Sequence, residues 1–199
     1  MIAIAIERGG FNAQFKVLLG QAQRPTVVLM AAGRELANRL RAHFRMKEQS
    51  GANKLSSRRK HFWLQVMQSV NDPMQTGFNA VSVRVSDPRI AQKVFGGTIT
   101  AKRAGALTIP VSEKAYGLPA STFEQVTGLK LFILGKKQDA GGRGGVLAAK
   151  VGEQIEVEYV LMKSVEQAAD PTALPAMSEL EAAVLARARA VVDRQAGTN

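Results

Sequence analysis

The sequence predicts an α+β protein: a curved, mainly antiparallel β-sheet with two long helices packed on it and a C-terminal helix. Three observations predict this class. Apolar residues recur at helical spacing over two early stretches, Pro25 to about Lys47 and Arg58 to Val70. From Ala80 to Lys163 the pattern changes to short alternating or β-branched runs punctuated by Gly and Pro. Helical spacing then returns between Ser178 and about Arg194. Helices first, then strands, then one closing helix is the order of an α+β fold. At 199 residues, with 46% hydrophobic and 22% charged, the chain can build a real core. The expected organisation is one α+β domain over 1–170, then a linker and C-terminal helix over 171–199.

Taken in order, Ile2, Ile4 and Ile6 alternate with Ala3 and Ala5, a strand pattern that Gly9-Gly10 breaks. Phe11 to Leu19 fits a short helix. Pro25 sits at the first turn of the next one, whose apolar face is Val28, Met30, Ala31, Leu36, Leu40 and Phe44. Ser57 is a candidate cap for the helix from Arg58, and Asn71-Asp72-Pro73 stops it. Ala80 to Ser86 alternates Val81, Val83 and Val85 with Ser82, Arg84 and Ser86. Arg89 to Phe95 and the stretch around Phe123 read as short helical turns, and Leu129 to Leu134 as a short strand. Glycines flank and fill 136–145, which reads as a flexible loop. Val146 to Lys150 and Gln154 to Lys163 form a hairpin turned at Val151-Gly152-Glu153. Asp170-Pro171 and Leu174-Pro175 read as an extended linker. Ser178 with Glu181 has capping-box spacing for the last helix.

The charge is uneven. The net formal charge is +11 and there is no cysteine. Disulfides and thiolate chemistry are therefore excluded, and an acidic partner is expected. Between Arg34 and Lys60 stand nine cations (Arg34, Arg39, Arg41, Arg45, Lys47, Lys54, Arg58, Arg59 and Lys60) against Glu35 and Glu48. This is a candidate surface facing DNA phosphates or an acidic protein. Aromatic residues make up 6% of the chain, too few for a base-stacking platform. The turn after Lys47 is too long for a helix-turn-helix. A sequence-nonspecific DNA-binding protein is the alternative function that this segment supports.

Catalytic chemistry has little footing. His43 and His61 are the only histidines, each next to a phenylalanine, and one such role alone does not make a triad. Glu153, Glu156 and Glu158 lie close in sequence but read as a solvated strand face rather than a cation site. Gly141-Gly142-Arg143-Gly144-Gly145 lacks the Gly-Lys-Ser/Thr ending of a phosphate loop. No catalytic, cofactor-binding or metal-binding set is expected, and no enzyme activity. No apolar run reaches the ~18 residues of a membrane helix, so no membrane partner is expected.

One stretch organises the rest. Phe95-Gly96-Gly97-Thr98-Ile99-Thr100-Ala101 leads through the basic turn Lys102-Arg103-Ala104-Gly105 into Ala106-Leu107-Thr108-Ile109-Pro110-Val111 and then Ala115-Tyr116-Gly117. It reads as an exposed hairpin over about 97–111, with Lys102, Arg103 and Gly105 at a tip suited to subunit contact and Gly105 free to take a positive φ.

This order of segments resembles the virion-morphogenesis or tail-completion proteins of tailed bacteriophages, especially Mu-like ones. The likeness includes the basic run Lys54 to Lys60 leading into His61-Phe62-Trp63, and the strands at Gly145 to Ala148 and Glu158 to Val165. It spans residues 25 to 190. The resemblance implies a structural protein of the virion neck or tail end, assembled in the bacterial host cytoplasm. Such a protein completes or terminates the tail at the head–tail junction. It implies a homo-oligomeric ring, with a hexamer matching the tail tube as one arrangement. Tail tube and head–tail connector proteins would be its neighbours, and DNA would pass through its lumen.

Overall fold

The computed structural model describes residues 2–7, 13–50, 61–77, 80–102, 105–135 and 143–197, with residues 2–7, 13–16 and 143 described through their backbone. The elements run β1 (Ile2–Glu7), α1 (Ala13–Gln21), α2 (Pro25–Ser50), α3 (Phe62–Gln68), β2 (Met74–Gly77), β3 (Ala80–Val85) and α4 (Arg89–Phe95). They continue with β4 (Gly97–Thr100), β5 (Leu107–Pro110), α5 (Ala120–Thr127), β6 (Leu131–Leu134), β7 (Arg143–Val151), β8 (Gln154–Met162), β9 (Ser164–Gln167) and α6 (Met177–Ala196). The class is α+β and every strand pairing among the described residues is antiparallel. The expected single curved sheet is instead three: β1-β3-β2, β4-β9 and β5-β8-β7-β6.

The chain forms two compact units. One unit comprises residues 1–50, 62–95 and 169–199, and the other 51–61 and 96–168. Each has its own apolar core.

In the first unit, α2 buries Val28, Leu29, Ala32, Leu36, Leu40 and Phe44, a stripe at three- and four-residue intervals. α6 meets it with Leu180, Val184, Ala188 and Val192, also one face of a helix. This apolar face draws α6 into the core. The segment before it is also pinned. Ala173 is buried, and the Asp170 N–H donates to the Lys93 carbonyl at 2.8 Å. β3 contributes Val81, Val83 and Val85, as its alternation predicts. Ser82, expected on the polar face, is buried too, because β3 is the central strand between β1 and β2. The second predicted helix is shorter than expected, with α3 starting at Phe62. Ser57 and Arg58 to Lys60 lie outside the described residues. α6 starts at Met177 after Ala176, without a side-chain cap, so Ser178 lies inside the helix.

In the second unit, β8 is the spine, paired with β5 on one side and β7 on the other. Gly152, at φ 62°, makes the turn between β7 and β8 where the sequence predicts it. Phe123 of α5 meets Tyr159 of β8 edge-on, with ring centroids 5.7 Å apart, and Ala115 and Ala149 complete the buried centre. The Tyr159 hydroxyl donates to the Leu118 carbonyl at 3.0 Å, so the buried phenol keeps a partner.

The expected hairpin at 97–111 does not form. β4 pairs with β9 (Gly97↔Gln167 to Thr100↔Ser164), and β5 pairs with β8 (Leu107↔Met162 to Pro110↔Tyr159). Both strands therefore run along one continuous partner, residues 159–167. Between the two pairings, the Ala101 N–H donates to the Lys163 carbonyl at 3.3 Å. Alternation of apolar and polar residues shows that a segment is a strand but not which strand it pairs with, and residues 159–167 offer a longer partner. The loop expected at 136–145 is a strand from Arg143 onward, and residues 136–142 lie outside the described residues.

Candidate functional site

Of the nine cations between Arg34 and Lys60, those among the described residues are partly taken up by the fold. Five fall among the described residues, and three of these are committed within the first unit. Arg39 Nε donates to Glu35 one turn earlier at 2.8 Å. Arg41 donates to the Val70 carbonyl at 2.8 Å and to Asp72 at 2.9 Å, fastening α2 to the segment after α3. Lys47 pairs with Asp170 at 3.4 Å, donates to the Thr172 hydroxyl and lies over the Trp63 ring, 5.4 Å from its centroid. Arg34 and Arg45 are exposed. Lys54, Arg58, Arg59 and Lys60 lie outside the described residues, as does Arg103. Lys102 and Gly105 are exposed, and a Cβ on Gly105 would meet nothing within 4 Å.

The Lys47 cluster has a structural role. Thr172 donates its N–H (2.9 Å) and hydroxyl (2.6 Å) to Asp170 Oδ1. With Lys47 adding its charge, these bonds hold the Asp170 carboxyl below the usual range. His43 Nε2 donates to the Thr172 carbonyl at 3.0 Å, so this histidine is an anchor for the 170–173 turn. Phe44 stacks on Trp63 at 5.9 Å, and Phe62 packs edge-on against Trp63. These rings belong to the core and its rim.

A cationic site that the sequence does not single out lies between α2 and α6. A cavity of about 600 Å³ is lined by Gln23, Arg24, Val27, Ala31, Arg34, Arg187, Val191, Arg194 and Gln195. Each helix contributes a stripe with arginine at both ends and small apolar residues between. On α2 and its lead-in these are Arg24, Val27, Ala31 and Arg34; on α6 they are Arg187, Val191 and Arg194. Steps of three, four and three residues, and of four and three, put each stripe on one helix face. The four arginines are exposed and no carboxylate lines the cavity. Arg34 also lines an adjoining cavity of about 310 Å³ with Met30, Asn38, Arg41, Asp72 and Pro73. The arginine spacing is legible in the sequence, but the pairing of two helices over 150 residues apart is not.

In the second unit, Glu158 departs from the expected solvated face. The register steps from Leu147↔Tyr159 to Ala148↔Val157, so Glu158 is the extra residue of a β-bulge, and it is fully buried. Ser112 donates its hydroxyl to Oε2, whereas Oε1 has no partner. Glu156 lies nearer the surface and pairs with Lys114 at 2.6 Å, which raises the Lys114 pKa. Among the described residues, no group of three or more His, Asp or Glu could hold a metal ion, and no helix is long and apolar enough to cross a membrane.

No protein-family model, no curated protein and no solved structure matches the chain.

Proposed function

We propose that this chain is a structural virion protein of a tailed bacteriophage, a tail-completion or neck protein that works by assembling into a ring and docking to tail tube and connector. The sequence resemblance over residues 25 to 190 suggests the family. The observation that carries the assembly mode is strand β6. It ends the four-stranded sheet, and among the described residues no strand pairs with its outer edge. Its side chains are apolar yet exposed: Phe132 by 37%, Ile133 by 67% and Leu134 by 37%. An apolar strand whose outer edge no strand covers is a template for adding another strand, although the Leu131 N–H is already taken by the Glu124 carboxylate at 3.0 Å. Repeated head to tail around a closed axis, such a contact generates a ring.

The test is sedimentation velocity and negative-stain imaging of the purified protein, together with subunit localisation in intact particles. Rings of one size are expected for the wild type, and a folded monomer for Ile133→Lys. A wild type that stays monomeric at every concentration and is missing from particles overturns the proposal. The alternative, a DNA-binding protein working through residues 34–60, is weakened by the ion pairs that occupy Arg39, Arg41 and Lys47.

A further inference from the structure

We infer that the arginine-lined groove between α2 and α6 is a binding track for the phosphodiester backbone of a nucleic acid, read without regard to sequence. The inference goes beyond the assembly proposal and stands whether or not the chain forms rings. Four guanidinium groups line one cavity of about 600 Å³, and each presents a planar fork of donors that matches the oxygens of a phosphate. None of the ion pairs among the described residues involves Arg24, Arg34 or Arg187. Gln23 and Gln195 add neutral side-chain amides beside them.

Three features favour a polymer backbone over other anions. The floor of Val27, Ala31 and Val191 carries no aromatic ring, so nothing there stacks a base or a nucleoside. The cationic line also runs the length of the cavity. Arg34 opens onto the neighbouring cavity, where Arg41 is held by Asp72, so the line of Arg24 and Arg34, in no ion pair among the described residues, marks a path of roughly 15 Å along α2 at 1.5 Å per residue. That path is longer than a free triphosphate. Finally, the arginines are exposed along an open groove, which suits a strand lying across it.

The experiment measures binding of a fluorescein-labelled, mixed-sequence DNA duplex of about 20 base pairs by anisotropy over a sodium chloride series. It compares the wild type with two variants of equal charge. The groove variant is Arg24→Gln/Arg34→Gln/Arg187→Gln/Arg194→Gln. The control variant is Arg39→Gln/Arg45→Gln/Arg84→Gln/Arg189→Gln, which neutralises four exposed arginines away from the groove. The groove variant is expected to bind tenfold or more weakly. Its slope of log K against log salt should become shallower by about 3.6, that is about 0.9 for each of the four phosphates that the variant no longer neutralises. The control variant should weaken less than threefold. Should the quadruple groove variant fail to fold, Arg34→Gln and Arg187→Gln singly are each expected to cost threefold or more. Equal weakening in the groove and control variants overturns the assignment, as does a wild type without affinity for DNA. Inorganic tripolyphosphate serves as the second ligand. If it binds the groove of the wild type while DNA does not, the site takes free phosphates and the backbone assignment is wrong.

Discussion

At Gly33 a methyl group would stand 2.7 Å from both Pro73 Cβ and Val81 Cγ1. Glycine inside a helix costs about 1 kcal/mol relative to alanine, so its place in α2 is explained by this close approach of helix to sheet. Gly33→Ala should gain that propensity yet lose more to overpacking, for a net destabilisation of about 1–3 kcal/mol in urea unfolding. Asp87 acts at the same scale through charge. Its carboxylate accepts hydrogen bonds from the Arg89 guanidinium, with Nε at 2.9 Å, and from the Arg89 backbone N–H, also at 2.9 Å. The side-chain bonds from Arg89 are the main cause of its lowered pKa. A group whose folded pKa lies below its unfolded value stabilises the fold above the ordinary carboxylate range, and the contribution is lost as pH falls through the folded pKa. Thermal melting of Asp87→Asn between neutral pH and about pH 2 should therefore show a shallower acid-side loss than the wild type. At neutral pH the variant should be less stable by about 1 kcal/mol, a modest figure because Arg89 is half exposed. Glu158 supplies the third case. Ser112→Ala would strip the buried carboxylate of its side-chain partner, and a loss of about 1–3 kcal/mol is expected in denaturant melts.

Elements show where sequence reasoning holds and where it gives out. α2, β3, the β7–β8 turn and the helical face of α6 are legible, because each is a local pattern long enough for its period to be unambiguous. Partnerships are not. Thr98 to Thr100 and Leu107 to Pro110 are strands as expected, yet their mates are β9 and β8, some fifty residues and more downstream. Ser82 and Glu158 alternate like surface residues but are buried, one by a central strand position and one by a bulge that turns its side chain inward. The site is obscured for the same reason. The basic segment reads as one surface because charge is visible residue by residue, whereas its partners Asp72, Asp170 and the Val70 carbonyl are brought in by the fold. Arg187 and Arg194 do not stand out in the sequence because their significance depends on α2 lying alongside.

For the whole molecule, the two proposed surfaces respond to salt with opposite sign. The chain carries a net charge of +11, so copies repel one another at low ionic strength. An apolar contact through Phe132, Ile133 and Leu134 has no charge to be screened, and salt removes only the repulsion that opposes it. Self-association should therefore strengthen as sodium chloride rises from about 50 to about 300 mM, where the Debye length falls well below the size of the protein. Binding to DNA through the arginine groove should weaken over the same range, because each phosphate contact releases counterions. Sedimentation velocity and anisotropy on one salt series read the two responses separately. Ile133→Lys should abolish the first and leave the second intact, whereas the groove variant should weaken the second and still self-associate, with a smaller salt response because it carries four fewer positive charges. If both responses weaken with salt, self-association is electrostatic, and β6 is not the surface that joins the copies.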